Sequence, residues 1–500
     1  MKRKFIYILA LAVLTSACTD DFFDTSPATQ ITTPEVFSSE SNIDAFINGS
    51  IRFLMENTPN QANPGLPAIF LTHEVMGEDA FARDGRYGYR DSYPFRDPFD
   101  NTTTRARFFW SLQYTSIDHA NNLIANIPVD ESSSASLRHL KGQAHALRAF
   151  NYLNLVRQYQ FTYAKDAQAL VVPIYTEPTT PATEPQPLAT VQQVYDLILS
   201  DLAEAEKLLP GFQRRVKNRL DLNVVHGLLA RTHLTLENWT LAQEYAAKAR
   251  AGYPIMSAEQ YTEGFNDVSN TEWIWGHPQT PTQNRGGYSY VGYLETTPYT
   301  QDASGTNLYY GYNSIMPDPH FIATFEDGDI RKSLFEIATQ PAEAIYRHYR
   351  YKKFRNKYPN HDGHIVLMRA SEQLLIEAES QARLGDTEGA VETLNELRVQ
   401  RNLPALTVAQ IGETRVIDEI LMERRKELWG EGHRLYDILR LQTAPERKET
   451  DETFIDDAGN EVALRGHWIM RFPDGTPLVP NSPYYLFPIP LNEINNNPNL

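Results

Sequence analysis

The sequence predicts a mainly α fold, an α-α superhelix of stacked helical hairpins with long irregular loop insertions and little β. Three observations predict it. Apolar residues recur at helical spacing through about 31–56, 106–251 and 371–441. Two segments inside those spans repeat one another. The stretches between them, about 57–105 and 252–370, cluster Tyr, Gly, Pro and Asn without a sustained period.

The first residues read as a targeting segment. Met1-Lys2-Arg3-Lys4 is positive and Phe5 to Leu14 is an unbroken apolar run of ten, the layout of an export signal. That run is about half the ~20 apolar residues that span a bilayer, and no later stretch approaches that length. Thr15-Ser16-Ala17-Cys18 follows; small residues before a thiol resemble the lipobox of bacterial lipoproteins, with Thr15 standing where an aliphatic residue is usual. Cys18 is the only cysteine, so it has no intramolecular disulfide partner, and the resemblance makes it the lipid attachment point. Residues 1–17 are then a lipoprotein signal peptide, 18–30 a lipid-proximal tether and 31–500 a single domain. Losing Lys2, Arg3 and Lys4 with the signal leaves 43 basic against 63 acidic residues, a net −20 instead of −17. An acidic body repels nucleic acid and anionic membrane surfaces. No nucleic-acid partner is expected, and the membrane is reached through the lipid alone.

Within the domain, Ser41 is placed as N-cap of a first helix with Ile43, Phe46, Ile47, Ile51 and Leu54 at helical spacing. Residues 57–105 read as a long irregular excursion, and loops of that length are usually functional. Helices resume from Phe108 to Ile127 and from Leu137 to Tyr159. A stiff exposed stretch, TEPTTPATEPQP at 176–187, precedes a helix from Val191 to Leu209. In LLARTHLTLENWTLAQEYAAKA, Ala230 precedes Ala242 by 12 residues, with Ala246 and Ala249 four and seven further on; in IEAESQARLGDTEGAVETLNEL, Ala378 precedes Ala390 by 12, with Leu394 and Leu397 at the same offsets. Small residues at matched places let antiparallel helices approach closely, and the pattern resembles the tetratricopeptide repeat. Leu137–Tyr159 with Val191–Leu209 makes another such pair across a longer connection. In the second insertion Glu272-Trp273-Ile274-Trp275 alternates like a short strand.

The C-terminal third contains ERRKELWGEGHRLYDILR from Glu423 to Arg440, preceded by ASEQLLIEAESQARLGD and followed, in a C-terminal segment 442–500, by YLFPIPLNEINNNPNL. With TPEVF at 33–37, SLQYTSIDHANNLIANI at 111–127 and GQAHALRAFNYLNLVRQY at 142–159, these motifs resemble the SusD/RagB family of nutrient-binding outer-membrane lipoproteins over nearly the whole mature chain. Leu435 departs from the aromatic residue more usual after Glu-Gly-His-Arg. The resemblance implies a four-repeat tetratricopeptide scaffold, a loop-borne ligand site and a SusC-like TonB-dependent transporter as partner. It also implies an outer-membrane location facing the cell exterior, a glycan ligand or, for the RagB branch, a peptide, and no catalysis.

Several constellations are candidates for chemistry. Glu423, Arg424, Arg425, Glu427, Glu431, His433, Arg434 and Asp437 suggest an acid–base site, but opposite charges at helical spacing more simply form ion pairs. A glycosidase needs two carboxylates ~5–9.5 Å apart, and nothing singles out a pair. His361 and His364 sit beside Pro359 and Gly363 without a metal-binding helix, and Arg285-Gly286-Gly287 lacks the phosphate-loop continuation. Asp456 to Glu461 is oxygen-rich without the alternating spacing of a calcium loop. No cofactor or metal is expected. Aromatic residues are the stronger signal: Arg83, Tyr87, Tyr89 and Tyr93 in the first excursion, and Tyr288, Tyr290, Tyr293, Tyr309, Tyr310 and Tyr312 in the second. Tyrosine on Gly-flanked loops offers both a flat apolar face for sugar C–H groups and a hydroxyl for hydrogen bonding. Trp110, Trp273 and Trp275 are assigned to packing.

Overall fold

The computed structural model describes residues 33–280, 282–283, 286–309, 311–357 and 362–500; the signal peptide, the tether and Cys18 lie outside the described residues. It divides into two units, Met1–Phe46 and Ile47–Leu500. In the first, a short helix, Thr33–Val36, is tied to Asn42, whose side-chain amide donates to the Glu35 carbonyl at 2.8 Å. Helix α1 (Glu40–Glu56) crosses the division. Its N-cap is Ser39, whose hydroxyl accepts the Asn42 N–H at 3.2 Å, so Ser41 lies inside the first turn instead of capping it.

In the second unit the excursion 57–105 is less irregular than its sequence. It contains α2 (Pro67–Met76), all ten of whose residues are buried, and β1 (Ala80–Ala82). A helix covered on every side carries no amphipathic stripe, which is why periodicity misses it.

Two long helices follow: α3 (Thr104–Asn126), capped by Thr103, and α4 (Ala135–Tyr159), capped by Ser134. The short strands β2 (Leu170–Pro173) and β3 (Leu188–Thr190) pair around the proline-rich stretch, which is mostly exposed as expected. A capping box of Thr190 and Gln193 starts α5 (Val191–Leu208). The first repeat is α6 (Leu222–Thr235) with α7 (Trp239–Arg250).

The second insertion holds β4 (Trp273–His277), α8 (Tyr290–Leu294), β5 (Ile315–Pro317), and the paired strands β6 (Phe335–Ile337) and β7 (Tyr349–Tyr351). It closes with β8 (Ile365–Arg369), antiparallel to β4. Trp110, Trp273 and Trp275 are buried, as assigned.

The second repeat is α9 (Ala370–Arg383) with α10 (Thr387–Gln400), and α11 (Val416–Leu428) and α12 (Arg434–Arg440) complete the scaffold. Each helix packs on its neighbour in order: α3 on α4, α4 on α5, α5 on α6, α6 on α7, α7 on α9, then α9 on α10 and α11. All eight repeat positions, Ala230, Ala242, Ala246, Ala249, Ala378, Ala390, Leu394 and Leu397, are fully buried. The two turns match as well. Glu237 and Gly385 take positive φ, and the next residues, Asn238 and Asp386, cap α7 and α10.

The charged motif at 423–437 is the electrostatic centre of this scaffold. The Glu427 carboxylate accepts from Arg369 at 2.7 Å, Arg401 at 2.7 Å and Arg331 at 3.1 Å. Arg369 also binds Glu431 at 2.8 Å and Glu272 at 2.9 Å, and Lys353 donates to Glu431 at 2.7 Å. Apart from a sliver of Glu431, these side chains are fully buried. Burial alone pushes the Glu427 carboxyl up, but Arg401 and Arg369 outweigh it and hold the group well below the usual carboxylate range. Arg424 pairs with Asp437 at 2.8 Å and Arg434 with Glu78 at 3.0 Å. Because Arg331 and Lys353 come from the second insertion and Glu78 from the first, the network clamps both insertions to α11, α12 and the turn between them.

Candidate ligand-binding surface

Strand β1 pairs antiparallel with β5, Ala80 opposite Pro317 and Ala82 opposite Ile315. This ladder joins the two tyrosine-rich insertions. Just past its end the Arg83 N–H donates to the Ser314 carbonyl at 2.8 Å, and the Ser314 hydroxyl to the Tyr87 carbonyl at 2.9 Å. The rings then stack from solvent inward. Tyr87 lies 5.8 Å from Tyr312, Tyr312 stacks on Tyr293 at 5.4 Å and 13°, and Tyr293 meets Tyr89 edge-on at 5.0 Å. Beneath them the Arg105 guanidinium of α3 lies 4.7 Å from the Tyr89 ring and donates to the Gly88 carbonyl at 2.7 Å and to Asp97 at 2.8 Å.

Two glycines permit this approach. Gly88 has φ +121°, and a Cβ there would lie 2.7 Å from the Tyr293 ring; a Cβ on Gly311 would collide with the Gly292 carbonyl. Gln61 fixes the outer rings, its side-chain carbonyl accepting from Tyr312 at 2.6 Å and its backbone carbonyl from Tyr293 at 2.7 Å. Burial pushes the Tyr89 and Tyr293 phenols up. Its outer end is accessible: Tyr87 is 44% exposed and Tyr312 is half-buried.

The other side of β1 borders a cavity of about 390 Å³ lined by Trp468, Phe81, His348, Asp84, Glu449 and Arg465. Trp468 is 40% exposed, and its indole N–H donates to the Ala82 carbonyl at 2.9 Å. Its own N–H donates to the Tyr93 hydroxyl at 3.1 Å, and the Tyr93 ring lies 5.2 Å away. A lone Trp in a C-terminal segment with neither tyrosine neighbours nor helical period gave sequence reading no reason to choose it.

The anticipated residues thus separate. Tyr87 is at the surface. Tyr89 and Tyr93 are fully buried and Tyr290 is 2% exposed, its hydroxyl donating to the Gly430 carbonyl. Arg83 is also buried, donating to the Ala344 carbonyl. As placed, these four present no face to a ligand from solvent; they brace the loops, packed among buried aliphatic side chains such as Val291, Leu294 and Ile315. Tyr288 is half-buried in the turn before α8, and half-buried Tyr309 lies 5.8 Å from the Arg350 guanidinium, off the stack. Tyr310, Arg285 and His361 lie outside the described residues. Tyr293 and Tyr312 do join the first excursion's rings.

Several other polar clusters among the described residues are occupied by the chain itself. Glu326, Glu419 and Glu423 converge closely enough for a cation, but Arg398 reaches all three, at 2.8, 3.5 and 3.6 Å. Asp456 accepts the Ala458 and Asn460 N–H groups of a hairpin turn at 3.0 and 2.8 Å. His364 accepts the Val268 N–H at 2.9 Å. A cleft of about 540 Å³ has Arg425 and Arg434 in its wall, both already paired with Glu78. Among the described residues no helix is long and apolar enough to cross a membrane.

Comparison with known proteins gives a consistent result. Residues 338–500 match the profile described as the SusD family, and residues 21–234 match one described as starch-binding associating with outer membrane. SusD-like protein P2 of Formosa agariphila is 25% identical, covering 97% of this chain and all of its own. The crystal structure of a SusD-like carbohydrate binding protein from Bacteroides vulgatus is 36% identical with a TM-score of 0.83, covering 92% of this chain and 97% of its own. A putative sugar binding protein of the same organism is 26% identical with a TM-score of 0.72, covering 92% and 97%.

Proposed function

This chain belongs to the SusD family, and from that premise we propose that it is a surface lipoprotein that binds a glycan and hands it to a SusC-like TonB-dependent outer-membrane transporter for uptake. The observation that carries the reading is the accessible end of the tyrosine stack, Tyr87 and Tyr312, where two separate insertions meet. Flat sugar C–H faces lie on aromatic faces while hydroxyls take up donors and acceptors such as Asp84, Glu449 and Arg465 in the neighbouring cavity. By analogy with aromatic pairs, each stacked ring adds roughly 0.5–1.5 kcal/mol beyond area burial. Several rings therefore have to act together, and at the stack and its neighbouring cavity Tyr87, Tyr312 and Trp468 reach solvent. The names of the two Bacteroides vulgatus relatives, carbohydrate binding and putative sugar binding, favour the same ligand class, and the role is binding without turnover.

Calorimetry of the soluble mature protein against a broad panel of oligo- and polysaccharides tests the ligand. Saturable binding that is weakened in both Tyr87→Ala and Tyr312→Ala is the expected result. Copurified peptides with no glycan bound would transfer the reading to the peptide-binding branch, and hydrolysis of a panel member by pure protein would replace it with an enzyme. For location, the outer-membrane association in the matched profile's description is extended by proposing Cys18 as the lipid anchor, with the body facing outward. Cys18→Ala is expected to bind ligand normally in solution and to fail in uptake; undiminished uptake would make the tether dispensable.

A further inference from the structure

Helix α3 borders a second cavity with a different face. Trp110 follows Arg105 by five positions, about 140° around the helix, so the face carrying Trp110, Tyr114 and Asp118 points in another direction from the one that supports the tyrosine stack. That face, the chain from Pro173 to Tyr175 and the C-terminal helix Leu491–Asn496 enclose about 310 Å³. The Trp110 and Tyr114 rings lie 4.7 Å apart and are tilted by 39°, and Tyr175 meets Tyr114 at 6.1 Å and 83°, giving adjoining walls nearly at right angles. The walls are held in place. Tyr114 donates its hydroxyl to the Pro173 carbonyl at 2.7 Å, and the Tyr175 N–H donates to the Tyr152 hydroxyl at 2.7 Å.

Two carboxyl groups, Asp118 and Glu493, line this box, and among the described residues no lysine, arginine or histidine does. Arg148 reaches the neighbouring Thr176 carbonyl, but its charge is taken by Asp201 at 2.7 Å. Burial pushes the Glu493 carboxyl above its ordinary range, and hydrogen bonds with Trp110 and Asn492 offset this only in part. Asp118 accepts the Thr179 N–H and hydroxyl at 2.7 and 2.8 Å and the Asn122 amide at 3.1 Å, all neutral donors, so the box combines aromatic walls with two carboxyl groups and no lining cation.

We propose that this cavity binds an organic ammonium group, whose alkyl surface lies on the half-buried rings of Tyr114 and Tyr175, backed by the buried Trp110, while Asp118 and Glu493 supply the counter-charge. A cation over an aromatic face within about 6 Å of its centroid is attracted by the ring quadrupole, and two carboxyl groups with no lining cation add a charge preference that a neutral polyol cannot use. The volume is at the small end of ligand-sized cavities, right for a single head group and too small for a chain. This site is independent of the glycan reading.

The test is calorimetry of the mature protein with choline against 3,3-dimethylbutan-1-ol, which has the same shape without the charge, and with glucosamine against glucose. Binding of either ammonium compound at least about ten-fold tighter than its neutral counterpart is expected, with a dissociation constant in the millimolar range. Glu493→Gln and Tyr175→Leu should each weaken that binding about ten-fold at an unchanged melting temperature, while Tyr87→Ala leaves it intact. Equal binding of charged and neutral partners overturns the proposal. So does no ammonium binding up to roughly 50 mM, or wild-type affinity in both cavity variants.

Discussion

The ion network around Glu427 and the tyrosine stack ending at Tyr87 both fasten the two insertions to the scaffold, with opposite materials. In the network, Arg331, Lys353, Arg369 and Arg401 are fully buried and spent on carboxylates and carbonyls. In the stack, neutral rings run from Arg105 out to solvent. A buried charge is costly unless paired, so once paired it has nothing left to offer a ligand. A phenol loses little when half its ring is bare, so the same residue type can brace a loop and face outward. The most charged motif in the chain is thus structural, and the proposed recognition surface rests on uncharged rings with Asp84, Glu449 and Arg465 beside them.

The widest effect expected from that contrast is on stability. Glu427→Ala leaves three guanidinium groups without their shared carboxylate and should cost about 3–5 kcal/mol, read by chemical denaturation. Ligand affinity of the molecules that still fold should be unchanged; a stable variant with lost affinity would reverse the roles assigned to the two regions.

Glu74 sharpens the comparison from within the charged side, since its carboxyl accepts the Gly432 N–H at 2.7 Å, and burial pushes it up to about 7. A folded pKa above the unfolded value means its stabilising contribution is complete below about pH 4.5 and is lost as pH rises through about 7. Glu74→Gln, which keeps an acceptor but cannot ionise, should match the wild type near pH 4.5 and exceed it by on the order of 2 kcal/mol at pH 8. A difference that does not grow with pH would mean Glu74 is not the titrating group.

Smaller effects belong to the stack. Tyr312→Ala removes the ring between Tyr87 and Tyr293 and should weaken glycan binding about ten-fold. Tyr87→Ala should weaken it a few-fold while changing stability by less than about 0.5 kcal/mol. If either unfolds the protein, the stack is packing and the recognition surface lies at Trp468 alone.

Much of the scaffold was legible because helical period and matched small residues are local signals. Both repeats, the helices around Phe108–Ile127 and Leu137–Tyr159, the strand at Trp273 and the pairing of the 423–437 charges agree with the structure. Helix α2 was not legible, since a helix buried all round has no polar face to mark its period. Within the tyrosine set, period-free loops do not say which way a ring points, so Tyr87, Tyr89 and Tyr93 looked alike although only the first is exposed.

The sequence by itself determined the helical repeat architecture and the family resemblance, because these depend on neighbours along the chain. Only the tertiary structure decided which rings share a stack, that Trp468 joins them beside β1, and that Trp110, Tyr114 and Tyr175 wall an acidic box. Those relations are set by the β1–β5 pairing and by the packing of α3 against distant segments. Contacts between residues far apart in the chain leave no periodic trace in one sequence.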